Sequence, residues 1–283
     1  MNQMTMEGYI HYLNGKYVTE DKLLVSPRDL GFSRSYGVFD FLRTYDGRPF
    51  KIKEHLARFL RSAESINLDH NYTLEQLIEI VQNTLDKNND GKEKQIKVML
   101  SGGISRSMYQ EAEPTLIVII DVFRPKKSEI YENGIKLNLA KFSRYKPESK
   151  NTNYIEGVIQ IKKGRGDGFY EPLYYSNEQV YESSNSNIFA VKNKQIYTPK
   201  NNIFCGGTRG ILVNDLKDRL HIIEENFDLE FLLNADEAFI CSSGKEVVSV
   251  VQIGEHMIGN GNIGEIAKLV LKEFREYVSS NKW

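Results

Sequence analysis

An α+β protein in two domains is what this sequence predicts, and three observations carry that reading. Short strands in tight hairpins open the chain, and helices of regular amphipathic spacing follow them. A charged, proline-containing break stands at Arg124-Pro125-Lys126-Lys127-Ser128, and a fresh run of strands and helices begins beyond it. The length of 283 residues accommodates one large domain or two smaller ones. Domains are expected at residues 1–122 and 129–283, with a linker over 123–128.

The elements follow in order. Tyr9–Leu13 and Lys16–Val18 flank Asn14-Gly15, two residues tolerant of positive φ, and predict a type I′ hairpin. A second hairpin is expected over Phe39–Tyr45, Asp46-Gly47 and Pro49–Ile52. Leu56, Phe59, Leu60, Ala63 and Ile66 recur at helical spacing, which puts Arg58 on the first turn beside His55. Thr73 and Gln76 have the form of a capping box, opening a helix through Leu77, Val81 and Leu85. Lys87–Lys92 is a polar loop. Ile96–Leu100 and Thr115–Phe123 are strands, the second apolar enough to be buried on both faces.

Beyond the break, Ile135, Leu137 and Leu139 alternate with polar residues, and Ile155–Lys163 reads as a helix ending near Gly164–Gly168. Leu173–Ser176 and Gln179–Glu182 form a hairpin around Asn177-Glu178, and Asn187–Val191 and Gln195–Thr198 form another. Thr208 is placed to cap a helix through Leu212, Leu216 and Leu220. Ala238–Ser242 is a short strand, and Ile266, Leu269, Val270 and Phe274 mark a terminal helix.

Composition narrows the function classes. Lys and Arg total 37 against 38 Asp and Glu, so the net charge of -1 leaves no basic footprint for nucleic acid and no pull toward an anionic membrane. Cys205 and Cys241 are too few for a disulfide framework, and the scattered histidines show no zinc spacing, so no metal is expected. Met1–Tyr12 lacks the apolar run of a signal peptide, and the longest apolar run, Leu116–Ile120, is far too short to span a bilayer. A soluble cytoplasmic protein is the expectation.

A few residues bear chemistry. Cys205-Gly206-Gly207-Thr208-Arg209 precedes a predicted helix, where free N–H groups and the dipole make an anion site; a glycine turn with an N-cap is the other reading. Ser242-Ser243-Gly244 at a strand end offers donors to the same anion, or an ordinary turn. Taken singly, Glu182 reads as a solvent-facing carboxylate, Lys150 as one lysine among many, and Arg58 as a surface arginine.

Their order along the chain resembles the pyridoxal phosphate enzymes of fold type IV: branched-chain aminotransferases, D-amino acid aminotransferases and aminodeoxychorismate lyases. Asp29 through Asp40 is similar to the family's early strand motif, and Glu54-His55-Leu56-Ala57-Arg58-Phe59 to its helix with the phosphate-binding arginine. Lys150 through Asn153-Tyr154 resembles the Schiff-base lysine segment, and Glu182 with Ser186-Asn187-Ile188-Phe189 the segment bearing the pyridine-nitrogen carboxylate. Gly207-Thr208-Arg209 and Ser242-Ser243 through Glu246 complete the set, which covers nearly the whole chain.

The resemblance implies a two-domain fold with pyridoxal 5'-phosphate at the domain interface and Lys150 in the larger, C-terminal domain. It implies that Lys150 joins the cofactor aldehyde and then serves as general base and acid. Glu182 would keep the pyridine nitrogen protonated. Arg58 would bind the phosphate by charge-assisted hydrogen bonds, with the backbone of Gly207 and Thr208 and the hydroxyls of Thr208, Ser242 and Ser243. Tyr154 would tune the cofactor's phenolate oxygen.

For the substrate, Arg34-Ser35-Tyr36-Gly37 is close to an Arg-Gly-Tyr-Gly run of some D-amino acid aminotransferase-like members, which makes Arg34 a candidate for the α-carboxylate. Phe32 stands beside it, and Arg106 lies near the position of an Arg-x-His element in other members. Asn185 stands where the members with the Arg-Gly-Tyr-Gly run have a second arginine, Val248-Ser249 replace a Thr-Pro, and Lys245 has no counterpart in the pattern. The implied reaction moves an amino group between an amino acid and a 2-oxo acid, in a homodimer. The alternatives are a branched-chain L-amino acid aminotransferase, an aminodeoxychorismate lyase, and a cofactor-binding protein without turnover.

Overall fold

The Asn-Gly signal acts as expected: Asn14 and Gly15 both take positive φ, 43° and 85°, and join β1 (Ile10–Leu13) to β2 (Lys16–Thr19). The computed structural model describes residues 8–280 and 283; Met1–Glu7, part of the stretch read above for targeting, lie outside the described residues. Two compact units result, one of residues 1–124 with Ser149–Asn153, the other of Pro125–Glu148 with Tyr154–Trp283.

The early motif is not all strand. Asp29 accepts the Gly31 N–H at 2.7 Å and caps α1 (Leu30–Arg34), which stops at Ser35 with φ 54°. β3 (Gly37–Tyr45) follows, and Asp46-Gly47 turns it back into β4 (Arg48–Pro49). The second hairpin arm ends sooner than expected, because Ile52 already begins α2 (Ile52–Ser65). Arg58 therefore sits on its second turn. The Thr73–Gln76 capping box forms in both directions and opens α3 (Leu74–Asp86), a cap of about 1 kcal/mol. β5 (Lys94–Ser101) and β6 (Thr115–Val122) complete a six-stranded sheet in the order β2-β1-β6-β5-β3-β4. Leu42, Ile96, Val98 and Val118 on its inner face pack against Leu56, Phe59, Leu77 and Val81 of the helices.

The second unit begins with α4 (Glu129–Asn133), β7 (Ile135–Lys141) and α5 (Ile155–Gly164). β8 (Glu171–Ser176) and β9 (Gln179–Ser183) turn at Asn177-Glu178; β10 (Ser186–Lys192) and β11 (Gln195–Thr198) turn at Asn193-Lys194. The expected helix after Thr208 is broken into α6 (Gly207–Gly210), a π-helical segment Ile211–Asp215 and α7 (Lys217–Leu220). Gly206, with φ -64° and ψ 151°, takes the N-cap position; Thr208 lies inside the turn and is buried. β12 (Ile222–Glu224), α8 (Leu229–Leu233), β13 (Glu237–Ser242), β14 (Glu246–Ile253), β15 (His256–Met257) and α9 (Glu265–Ser279) follow. The sheet runs β12-β11-β10-β13-β14-β7-β8-β9, and β9 pairs again with β10, so six strands close into a ring. Ile135, Leu137, Leu173, Ile188, Ile240 and Val250 are among its core residues.

Lys150 departs from the expected division of the chain. Its segment pairs with β3: Phe39 N–H donates to the Lys150 carbonyl at 2.9 Å and Thr152 N–H to the Gly37 carbonyl at 2.9 Å. Ser149–Asn153 therefore belongs to the first unit, although chain of the second flanks it on both sides. A stretch with no strand pattern of its own takes extended form because a strand edge offers it partners.

Candidate active site

Strand period puts a carboxylate into the first unit's core. Asp40 shares the inward face of β3 with Val38 and Leu42 and is fully buried. α2 meets it with residues three apart: Arg58 Nε and Nη2 donate to Asp40 at 2.9 and 2.7 Å, and His55 Nδ1 lies 2.8 Å away. Burial alone pushes the Asp40 carboxyl up, but Arg58 and His55 outweigh it and hold the group well below the usual carboxylate range. Burial also lowers the pKa of His55, and the charges of Arg58 and Lys150 add to that against the pull of Asp40. Arg58 is thus no surface arginine.

One turn further along α2, Ser62 Oγ accepts the Lys150 N–H at 3.2 Å. The stripe His55, Arg58, Ser62 therefore runs from the buried carboxylate to the Lys150 segment. The Lys150 amine stands 5.0 Å from the Phe39 ring centroid, with Lys97 of β5 at 5.1 Å from the same ring. Burial lowers the pKa of Lys97, and the charge of Lys150 lowers it further. Arg34, Phe32 and Arg106 are exposed on the same unit. Arg34 and Phe32 are on α1, and Arg106 is on the β5–β6 loop. These segments adjoin: Leu30 N–H donates to the Gly103 carbonyl at 2.9 Å and Ser105 N–H to the Arg28 carbonyl at 3.2 Å. Glu111 accepts the Arg106 N–H and the Ser105 hydroxyl, at 2.9 and 2.8 Å.

In the second unit Glu182, at the end of β9, is buried rather than solvent-facing. Phe204 N–H donates to Oε2 and Arg144 Nη1 to Oε1, both at 3.0 Å. Arg144 is the functional side chain that sequence reading missed. Burial opposes its charge, but Glu182, and then Tyr154, outweigh that and raise its pKa. Its guanidinium carbon lies 5.6 Å from the Tyr154 ring centroid, so Glu182 and Tyr154 are linked through it. Asn187, opposite Glu182 on β10, donates to the Phe204 carbonyl at 2.7 Å and accepts the Gly206 N–H at 3.1 Å. The Glu182–Asn187 pair thereby fixes the chain entering Gly207-Thr208. Ser242 and Ser243 are half-buried at the end of β13 and in the turn after it.

These donor types fit a phosphorylated pyridine aldehyde. The first unit carries a primary amine on a pinned backbone and a guanidinium. The second carries a buried carboxylate beside a cation, a phenol, and hydroxyl and N–H donors for an anion. Among the described residues no cluster of His, Cys, Asp and Glu is grouped as a metal site, and no helix is long and apolar enough to cross a membrane.

Residues 37–253 match the family model for amino-transferase class IV. The D-alanine aminotransferase of Staphylococcus epidermidis is 32% identical over 279 residues, covering 95% of this chain and 98% of its own. A putative branched-chain-amino-acid aminotransferase of Methanocaldococcus jannaschii is 31% identical over 281 residues, covering 96% of each. The fold is shared with the branched-chain aminotransferase of Thermoproteus uzoniensis solved with norvaline (TM-score 0.88, 23% identity, 97% of this chain and 96% of that one). It is shared too with the branched-chain amino acid aminotransferase of Thermobaculum terrenum solved in its PLP-form (TM-score 0.85, 18% identity, 98% and 96%). The chain belongs to the class IV aminotransferases. It is a pyridoxal phosphate-dependent transaminase of fold type IV, as the motif order in its sequence implied.

Proposed function

We propose that this chain moves amino groups between D-amino acids and 2-oxo acids. The buried Glu182–Arg144 pair carries the site reading: a buried carboxylate held at a strand end by a guanidinium is the type of group that pairs with a protonated pyridine nitrogen. Bound pyridoxal phosphate supplies the aldehyde that takes up the amino group and a ring that draws electrons from the bond broken at Cα. The chain's own groups do the rest. Lys150 would anchor the aldehyde and would serve as the base that takes the proton from the substrate Cα and as the acid that returns it. Arg58, held by Asp40, binds phosphate with the N–H groups of Gly207 and Thr208 and the hydroxyls of Thr208, Ser242 and Ser243. Tyr154, against Arg144, hydrogen-bonds the phenolate oxygen. Arg34 and Arg106 grip the substrate carboxylate, with Phe32 beside them.

The D-specific reading is supported by the staphylococcal relatives and by two exposed arginines on adjoining segments. The same reading takes the enzyme as a homodimer, which sedimentation tests, in a cytoplasm that keeps Cys205 and Cys241 reduced. The deciding experiment is visible absorption of the purified protein with D-alanine, D-glutamate, L-leucine and L-glutamate added separately. The bound-cofactor band is expected to be absent from Lys150→Ala and to bleach with the D-amino acids. Bleaching by L-leucine alone makes the enzyme branched-chain and L-specific; a band that no amino acid moves returns it to the lyase or non-turnover alternatives.

A further inference from the structure

Glu171 opens β8 as a buried carboxylate with donors on both oxygens. Oε2 accepts from the Ser184 hydroxyl at 3.2 Å and Asn185 N–H at 3.1 Å; Oε1 accepts from the Ser186 hydroxyl at 2.9 Å and Lys245 Nζ at 3.1 Å. The first three donors come from the β9–β10 turn, Ser184-Asn185, and from the first residue of β10. That turn sets Glu182 opposite Asn187. The fourth belongs to a different turn, Ser242–Lys245, closed by Lys245 N–H to the Ser242 carbonyl at 3.1 Å. Lys245 is buried, its carbonyl accepts the Tyr131 hydroxyl at 3.0 Å, and its amine lies 5.7 Å from the Tyr170 ring centroid. The lysine that has no place in the family's pattern therefore points inward to a carboxylate.

We propose that the Lys245–Glu171 pair is a positioning device that ties the turn beneath Glu182 to the turn bearing Ser242 and Ser243, fixing the spacing between ring-nitrogen and phosphate contacts. This rests on the cofactor reading above, with Glu182 on the ring and Ser243 on the phosphate. Two contacts on one ligand reinforce each other only when their separation is held; letting one turn drift turns a joint grip into two separate weak ones. A ligand that touches only the ring turn does not sense the tie.

The test follows from that difference. The full-length chain is titrated with pyridoxal phosphate and, separately, with pyridoxal, which lacks the phosphate, and binding is read by visible absorption. Lys245→Met is expected to raise Kd for pyridoxal phosphate about tenfold and to leave Kd for pyridoxal within about twofold, whereas Lys245→Arg stays close to wild type on both. Equal weakening of both ligands, or no change in either, overturns the proposal: the pair is then ordinary scaffolding. A wild-type chain that binds pyridoxal phosphate no better than pyridoxal overturns the cofactor reading itself, before any variant is compared. If Lys245→Met does not fold, Glu171→Gln/Lys245→Met, which buries no unpaired charge, carries the same expectation and the same refutation.

Discussion

Replacing Asp40 with Asn tests the core of the first unit. The substitution keeps the side chain's shape but removes its charge and one acceptor. Arg58 loses its counter-charge and one of the two oxygens that its Nε and Nη2 groups donate to, with its side chain only 12% exposed. Breaking a buried ion pair by neutralising one partner costs about 3–5 kcal/mol. Because Arg58 keeps some access to solvent, the lower end, about 3 kcal/mol, applies. At about 2–4 °C per kcal/mol for a chain of this size, the melting temperature should fall by about 6–12 °C. Thermal unfolding followed by circular dichroism at neutral pH reads this directly. Asp40→Asn/Arg58→Met, which removes both charges, should fall less than the single variant. The pH dependence follows the same logic. A carboxyl depressed in the folded state contributes stability above its unfolded value near 4 and loses it as pH falls, so the variant should lack that acid limb. A drop in the single variant below about 2 °C would falsify the view that Asp40 neutralises a buried Arg58.

His55 is depressed by burial, so the unfolded chain takes up a proton that the folded one refuses; stability should fall as pH drops below about 6.5, and His55→Asn should flatten that slope in melts at stepped pH. Arg34→Ala should raise KM for the amino acid about 10- to 100-fold, the worth of a charge-assisted contact; an unchanged KM removes Arg34 from the substrate's carboxylate. At Gly206 a Cβ would lie 2.5 Å from Asn187 Oδ1, the atom that accepts the Gly206 N–H. Gly206→Ala should therefore cost about 1–3 kcal/mol in thermal melts and weaken pyridoxal phosphate in the titration; equal values for variant and wild type would show that the loop yields freely.

What the sequence disclosed depends on how local the cause is. Asn14-Gly15, Asp46-Gly47 and the Thr73–Gln76 box act within a few residues, and each is formed. The short helix Leu30–Arg34 lay hidden because five residues hold no full apolar period. Thr208 looked like a cap by residue type, but Gly206 takes the position because its extended backbone is pinned by Asn187. Asp40 and Arg58 were visible as letters, not as partners, since their pairing needs a strand face and a helix stripe to meet. Arg144 sits in a loop with no pattern and finds Glu182 38 residues away, so nothing near it in the chain marked its role.

The excursion of Ser149–Asn153 has a consequence for synthesis. The outer edge of β3 is covered at one end by β4, within its own hairpin, and at the other by the Lys150 segment, made more than a hundred residues later. At about 5–20 residues per second, the ribosome leaves Gly37–Phe39 without that partner for several seconds. During that interval a nascent first unit presents unpaired strand edge, the kind of surface on which neighbouring chains join. The five residues that include Lys150 thus also shield an edge, and a product truncated before residue 149 should aggregate where the full chain does not.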